Sequence, residues 1–258
     1  MTLDAQGRDG GRDGGRYGGR GGPGPGRRRL VRGALTGTVA LGAALAFGAS
    51  GAAPPARLAG PRVRPATPGA ALRELERGNR RWRTLHEKHP DETLTVRREL
   101  LTGQHPFAVV LGCIDSRVPP ELVFDQGLGD LMTVRSAGQV LDQAVLGSVA
   151  YGVLEVGIPL VVVLGHQSCG AVAAAVRAEV AGDPLPGPLR YLTDQIRPAI
   201  DHRLRGDARN DATVTAHVRR VRSRLAGEPA FAARITAGTL AVVGARYELT
   251  DQRAHWIH

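Results

Sequence analysis

From residue 69 onward, apolar and polar positions alternate between two rhythms. In AALRELERGNRRWRTLHEK, residues 70–88, Leu72, Leu75, Trp82 and Leu85 recur at spacings that gather on one helix face, despite Gly78. Residues 93–102 add a second, short helix. The period then changes. Phe107-Ala-Val-Val-Leu-Gly-Cys113 is apolar almost throughout and bounded by Pro106 and a polar loop, which predicts a buried strand. Residues 131–134 predict another brief strand. Residues 141–156 return to helical spacing and are stopped by Gly157-Ile-Pro159. The strongest strand is 160–164, ending in Gly165-His166. A helix is expected from 169 to about 181, with others at 188–204, 211–226 and 229–237, and a last strand at 239–244. Apolar strands that alternate with helices need cover on both faces. The pattern predicts a single α/β domain over 69–258, with a central, mostly parallel β-sheet flanked by helices.

The first 68 residues follow neither rhythm. Residues 5–26 are nearly all Gly, Arg, Asp and Pro, in repeats such as GRDGG and GRYGG, and cannot bury enough apolar area to order themselves. Arg27-Arg28-Arg29-Leu30-Val31-Arg32 then precedes an uncharged, weakly apolar stretch, 33–53, that ends in small residues. A basic segment, an apolar segment and a small-residue tail make a signal peptide. The adjacent arginines point to the twin-arginine route, so residues 1–53 read as a disordered leader plus an export signal. The alternative is a membrane anchor at 33–53, since about 20 apolar residues span a bilayer. The glycines, threonines and serine in that stretch count against it. Residues 54–68 hold Pro54, Pro55, Pro61, Pro65 and Pro68 and read as a stiff linker.

Charge matters here only for where it sits. The chain carries a net +10, but residues 1–66 hold eleven Arg against three Asp. The remainder holds twenty-three Lys or Arg against twenty-one Asp or Glu. The domain is close to neutral, and a nucleic-acid partner loses its main support.

The candidate chemistry lies in two segments, Cys113-Ile-Asp115-Ser-Arg117 and His166-Gln-Ser-Cys169. Each begins where an apolar strand ends, and open α/β sheets gather ligands outside the carboxyl ends of their strands, at the switch point of strand order. Two cysteines in an exported chain ordinarily read as one disulfide. Here two thiolates and an imidazole instead supply the three protein ligands of a catalytic zinc site, one ion per chain, with the fourth position left for water or substrate. Cys169 falls at a helix N-terminus, where the dipole lowers a thiol's pKa. Asp115 and Arg117 could be a solvated surface pair. Beside a metal, Arg117 can hold Asp115 ionised. Asp115 could then take the proton of the metal's water and orient it, or fill the fourth position itself.

CIDSRVPPELVFDQGLGDLMTVRSAG (113–138) and VVVLGHQSCGAV (161–172) resemble the two signatures of the β-class carbonic anhydrases. Weaker likeness runs from GNRRW (78–82) through GQHPFAVVLGC (103–113) to VVGARY (242–247), so it spans roughly 70–250. The resemblance implies reversible hydration of carbon dioxide to bicarbonate and a proton. It implies Cys113, His166 and Cys169 as zinc ligands, Asp115 and Arg117 as the catalytic dyad, and Asp115 as fourth ligand in a closed state. Gln104 and the backbone N–H of Gly170 would contact substrate. It further implies at least a homodimer, with clefts at the subunit interface. Gln139 stands where the family usually has Asn, and Ala150 where Glu is common. Two rivals remain at this stage. One is a hydrolase of carbon disulfide or carbonyl sulfide on the same scaffold. The other is a non-catalytic zinc-binding protein, for which a fourth soft ligand would be expected.

Overall fold

The computed structural model describes residues 64–257; the expected leader and export signal, and residues 54–63 of the expected linker, lie outside them. The end of that linker starts a helix. Thr67 Oγ1 accepts the Ala70 N–H at 3.3 Å, and Pro68 occupies the first turn of α1 (Pro68–Arg83), where its missing N–H costs nothing. The helix stops short of residue 88 because Thr84 takes up its last carbonyls, its Oγ1 donating to Arg80 O at 2.9 Å. Leu85 then turns left-handed with φ 56° and is 80% exposed, so it does not join the apolar face. Gly78, tolerated rather than explained in the sequence, has a packing reason. A Cβ there would stand 1.7 Å from the carbonyl oxygen of Phe124.

The first strand, β1 (Ala108–Cys113), is preceded by α2 (Leu94–Glu99) and followed by α3 (Pro120–Val123) and β2 (Leu131–Ser136). Then come α4 (Gln143–Leu154), β3 (Leu160–His166), α5 (Gly170–Ala181) and α6 (Pro188–Ile196). The helix expected over 188–204 breaks into a 3-10 turn at Arg197–Ala199, where Pro198 cannot continue the ladder. The chain ends with α7 (Gly206–Ala226), α8 (Ala232–Thr236), β4 (Ala241–Tyr247) and β5 (Ala254–Ile257).

Strand order is β2-β1-β3-β4-β5, with the first four parallel and β5 antiparallel on β4. Every residue of β1 and β3 is buried, which is why their sequences run apolar without alternation. The two faces still divide by parity. Val109, Leu111, Val161 and Val163 pack with Val145, Val149 and Val153 of α4 and Val218, Val221 and Leu225 of α7. Ala108, Val110, Leu160, Val162 and Leu164 pack with Ala71 and Leu75 of α1, and with Val123 and Phe124. The chain leaves β1 for β2 on one side, then crosses to β3 on the other. The carboxyl ends of β1 and β3 therefore flank a topological switch point. Among the described residues no helix is long and apolar enough to cross a membrane.

Candidate metal centre

Cys113 is the last residue of β1 and His166 the last of β3, and Gly112 pairs with Leu164 between them. Adjacent parallel strands thus deliver a thiol and an imidazole to the same edge. Cys169 is the N-cap of α5, three residues after His166. The ligand atoms of Cys113, His166 and Cys169 all lie within 4.8 Å of one another, and all three residues are buried. The two sulfurs are 3.9 Å apart and unlinked. A tetrahedral ion with metal–sulfur bonds of about 2.3 Å requires sulfurs roughly 3.8 Å apart.

The imidazole is oriented for the same purpose. His166 Nδ1 lies 2.9 Å from the Gln167 carbonyl and donates to it, which in the neutral ring leaves Nε2 as the nitrogen free to bind a metal. Nε2 is fully buried with no hydrogen-bond partner, an orphan that a metal ion would satisfy. The donor set and its spacing fit a metal.

The thiols differ from expectation in one respect. Cys169 was expected to be acidified by the α5 N-terminus. The Ala171 and Val172 N–H groups do act in that direction, yet its thiol is raised, chiefly by its hydrogen bond to Cys113 and by burial. Cys113 is the one lowered, by the same bond from Cys169 first, and also by His166 and the Gly138 N–H. Two sulfurs this close share a proton unless a cation neutralises the second charge. Gly138 supplies its N–H to Cys113 Sγ at 3.3 Å from a left-handed backbone, φ 64°.

Asp115 and Arg117 do form a pair. Arg117 Nε donates to Asp115 Oδ1 at 2.9 Å, Nη2 to Oδ2 at 2.8 Å, and its backbone N–H to Oδ1 at 3.0 Å. The Arg117 side chain first of all, and its backbone N–H, hold the Asp115 carboxyl well below the usual carboxylate range. Oδ2 is 3.9 Å from His166 Nε2. Asp115 therefore faces the centre, but both its oxygens are engaged by Arg117 and it stands outside the three-residue cluster. Arg135, not singled out in the sequence, holds this loop. Its Nε donates to the Cys113 carbonyl at 2.8 Å and its Nη2 to the Asp115 carbonyl at 2.7 Å. The one sequence signal for it was a charge directly after the strand expected at 131–134.

A cavity of about 270 Å³ opens on the centre, lined by Cys113, Ile114, Asp115, Gly170, Leu189 and Leu192 among others. Gly170 is thus where a substrate contact was expected. Gln104 is not. It is exposed, beyond the amino end of β1, where the Phe107 N–H bonds the Asp130 carbonyl at 2.9 Å. The length of β1 alone, roughly 17 Å at about 3.3 Å per residue, separates that edge from Cys113. The structure does not bring Gln104 to the centre of its own chain.

Comparison with known proteins agrees with this geometry. A family profile described as carbonic anhydrase matches residues 108–254. Carbonic anhydrase 2 of Mycobacterium tuberculosis is 44% identical over 189 residues, covering 72% of this chain and 91% of that protein. Among solved structures, the β-carbonic anhydrase CafA of Aspergillus fumigatus aligns with a TM-score of 0.59 at 24% identity, over 73% of this chain and 89% of that one. A structure of two tetrameric β-carbonic anhydrases from Sordaria macrospora aligns with a TM-score of 0.57 at 20% identity, over 62% of this chain and 85% of that one. These two structural likenesses speak for the fold.

Proposed function

Because the chain belongs to the β-class carbonic anhydrase family and hydrates carbon dioxide reversibly, we propose that one zinc ion, held by Cys113, His166 and Cys169, is the centre of that reaction. The observation that carries this reading is the pair of sulfurs 3.9 Å apart beside a buried, unpartnered imidazole nitrogen. Two thiolates and one imidazole suit zinc and leave a tetrahedral ion one further position. When bound, zinc supplies the Lewis acidity that brings the pKa of a coordinated water to about 7.

The chain's own residues do the rest. Asp115, kept ionised by Arg117, serves as a fixed hydrogen-bond acceptor that orients the attacking water. Its carboxyl lies too low to store a proton at neutral pH, so orientation is its part. Ile114, Leu189 and Leu192 give an apolar approach suited to carbon dioxide, and Gly170 lines the same cavity.

The same reading has two copies of the chain sharing a cleft. A second subunit is the way an exposed Gln104, far from its own centre, would reach a substrate. The test uses the purified full chain. About one zinc per chain is expected, with hydration lost on chelation and restored by zinc, from a sample whose mass in solution is at least that of a dimer. Hydration that survives complete metal removal, or faster turnover of carbonyl sulfide than of carbon dioxide, would overturn it.

Export by the twin-arginine route follows from the same thiols. Cysteines 3.9 Å apart would oxidise if the chain crossed a membrane unfolded into an oxidising compartment. Transport of a folded, metal-loaded protein avoids this. Changing Arg27, Arg28 and Arg29 to Lys should leave active enzyme in the cytoplasm, as cell fractionation would read. Normal export of that variant would sink the assignment.

A further inference from the structure

Behind the metal ligands lie two buried polar side chains that the reaction does not use. Gln139 is 1% exposed and His217 2%, and none of their four side-chain polar atoms has a hydrogen-bond partner. Gln139 ends the turn at 137–139, and His217 adjoins it. Gln139 follows Gly138, whose N–H holds the Cys113 sulfur, and it keeps a left-handed backbone itself, φ 47°. For a non-glycine residue that conformation is costly and persists only where the surroundings impose it. The Gln139 Nε2 lies 3.5 Å from where a Cβ on Gly165 would stand, a point also within 3.5 Å of Val214 and Val218 of α7. His217 adjoins Val218 on that helix, and its ring faces the Gly138 backbone without reaching hydrogen-bond geometry. Val214, on the α7 side of this junction, packs in one cluster with Cys113 and Cys169.

Burial, with lesser contributions from Arg220 and Arg224, pushes the His217 imidazole down to about 4, so it is neutral. A neutral imidazole offers one donor and one acceptor, and an amide offers both as well. Groups this deeply buried find their partners in protein or in ordered water, which makes about three hydrogen bonds in such sites. We propose that Gln139 and His217 are positioning residues for the metal: bridged by a buried water molecule, they fix the turn at 137–139 so that the Gly138 N–H stays on the Cys113 sulfur. This rests on Cys113 being a metal ligand. It also accounts for the departure at residue 139, since the longer glutamine side chain extends toward α7.

The test is metal affinity measured by competition with a chelator, together with the thiolate-to-metal charge-transfer spectrum of the cobalt(II)-substituted full chain. His217→Leu and Gln139→Leu should each weaken binding about 10- to 100-fold, as loss of groups that orient a ligand does. The charge-transfer band should move, while the melting temperature of the metal-free protein is not lowered. The double variant should be little worse than the worse single one, because both remove the same bridge. His217→Gln, which keeps a donor and an acceptor, should recover much of the affinity. Should His217→Leu not fold, Gln139→Met removes only polar atoms from a similar shape and carries the same test. Wild-type affinity and spectrum in the folded apolar variants would overturn the inference. Failure of the unaltered chain to bind cobalt or zinc would instead overturn the metal reading beneath it.

Discussion

Replacing Cys169 by serine is expected to empty the metal centre and abolish carbon dioxide hydration. A serine hydroxyl stays protonated near neutral pH and is a harder donor than a thiolate, so the variant keeps one sulfur and one imidazole where three ligands are needed. The orphaned His166 Nε2 and the Cys113 sulfur remain buried with nothing to bring them onto one ion. The helix that begins there should not suffer. Cys169 makes no side-chain capping bond to α5, and serine is among the better N-cap residues. The variant should therefore fold normally, which makes metal loss readable by itself. Metal content should fall from about one per chain to near zero after dialysis, with activity at the uncatalysed background. Full metal occupancy in folded Cys169→Ser protein would show that the three residues are not the ligands.

The second large effect belongs to Asp115. Asp115→Asn should retain the metal, because this carboxylate stands outside the three-residue cluster. It should lose roughly 100-fold or more in turnover, within the range seen when a positioned acid–base group is removed. The amide presents one oxygen in place of two, and carries no charge for Arg117 to hold. Arg117→Ala should act more weakly and in a pH-dependent manner. In the unaltered chain Arg117 lowers the Asp115 carboxyl, so it stays ionised throughout the neutral and mildly acidic range. Without that guanidinium the carboxyl rises toward its ordinary value near 4. Activity of Arg117→Ala should then fall off as pH drops through the mildly acidic range, where the unaltered chain loses nothing to protonation of this group. Turnover within a few-fold of the unaltered chain for Asp115→Asn would remove Asp115 from the reaction. A pH profile unchanged by Arg117→Ala would remove the electrostatic role of the pair.

Much of the architecture follows from local sequence because a parallel sheet is buried on both faces. Strands such as 108–113 and 160–166 have no solvent side, so they appear as unbroken apolar runs. Where each run ends, a Cys or a His stands out against it, and strand ends in such sheets are where ligands gather. That is why Cys113, His166 and Cys169 could be grouped from the sequence, and the structure places them together. Asp115 and Arg117 were legible for a similar reason: two residues apart in a loop, they can close a bidentate pair without help from the rest of the fold.

What the tertiary structure decided is what depends on neighbours distant in sequence. β5 (Ala254–Ile257) is too short for its own period to declare it, and its antiparallel pairing with β4 exists only once β4 offers an edge. α3 (Pro120–Val123) has a single turn, which carries no periodic signal. Leu85 lay on a helical spacing, but Thr84 closed the helix before it, so a residue that looked like core faces water. The Cys169 thiol, expected to be lowered, is raised for the same kind of reason. A helix N-terminus can be read along the chain, whereas the nearer and stronger influence on Cys169 is a sulfur fifty-six residues away. Gln104 matched a motif by its distance along the chain, yet an extended strand carries those residues to the far edge of the sheet. Gln139 stood out in the sequence only as a departure from the family's usual Asn, and His217 gave no signal. Polar residues are ordinarily exposed, and burial of both Gln139 and His217 is decided by tertiary packing alone.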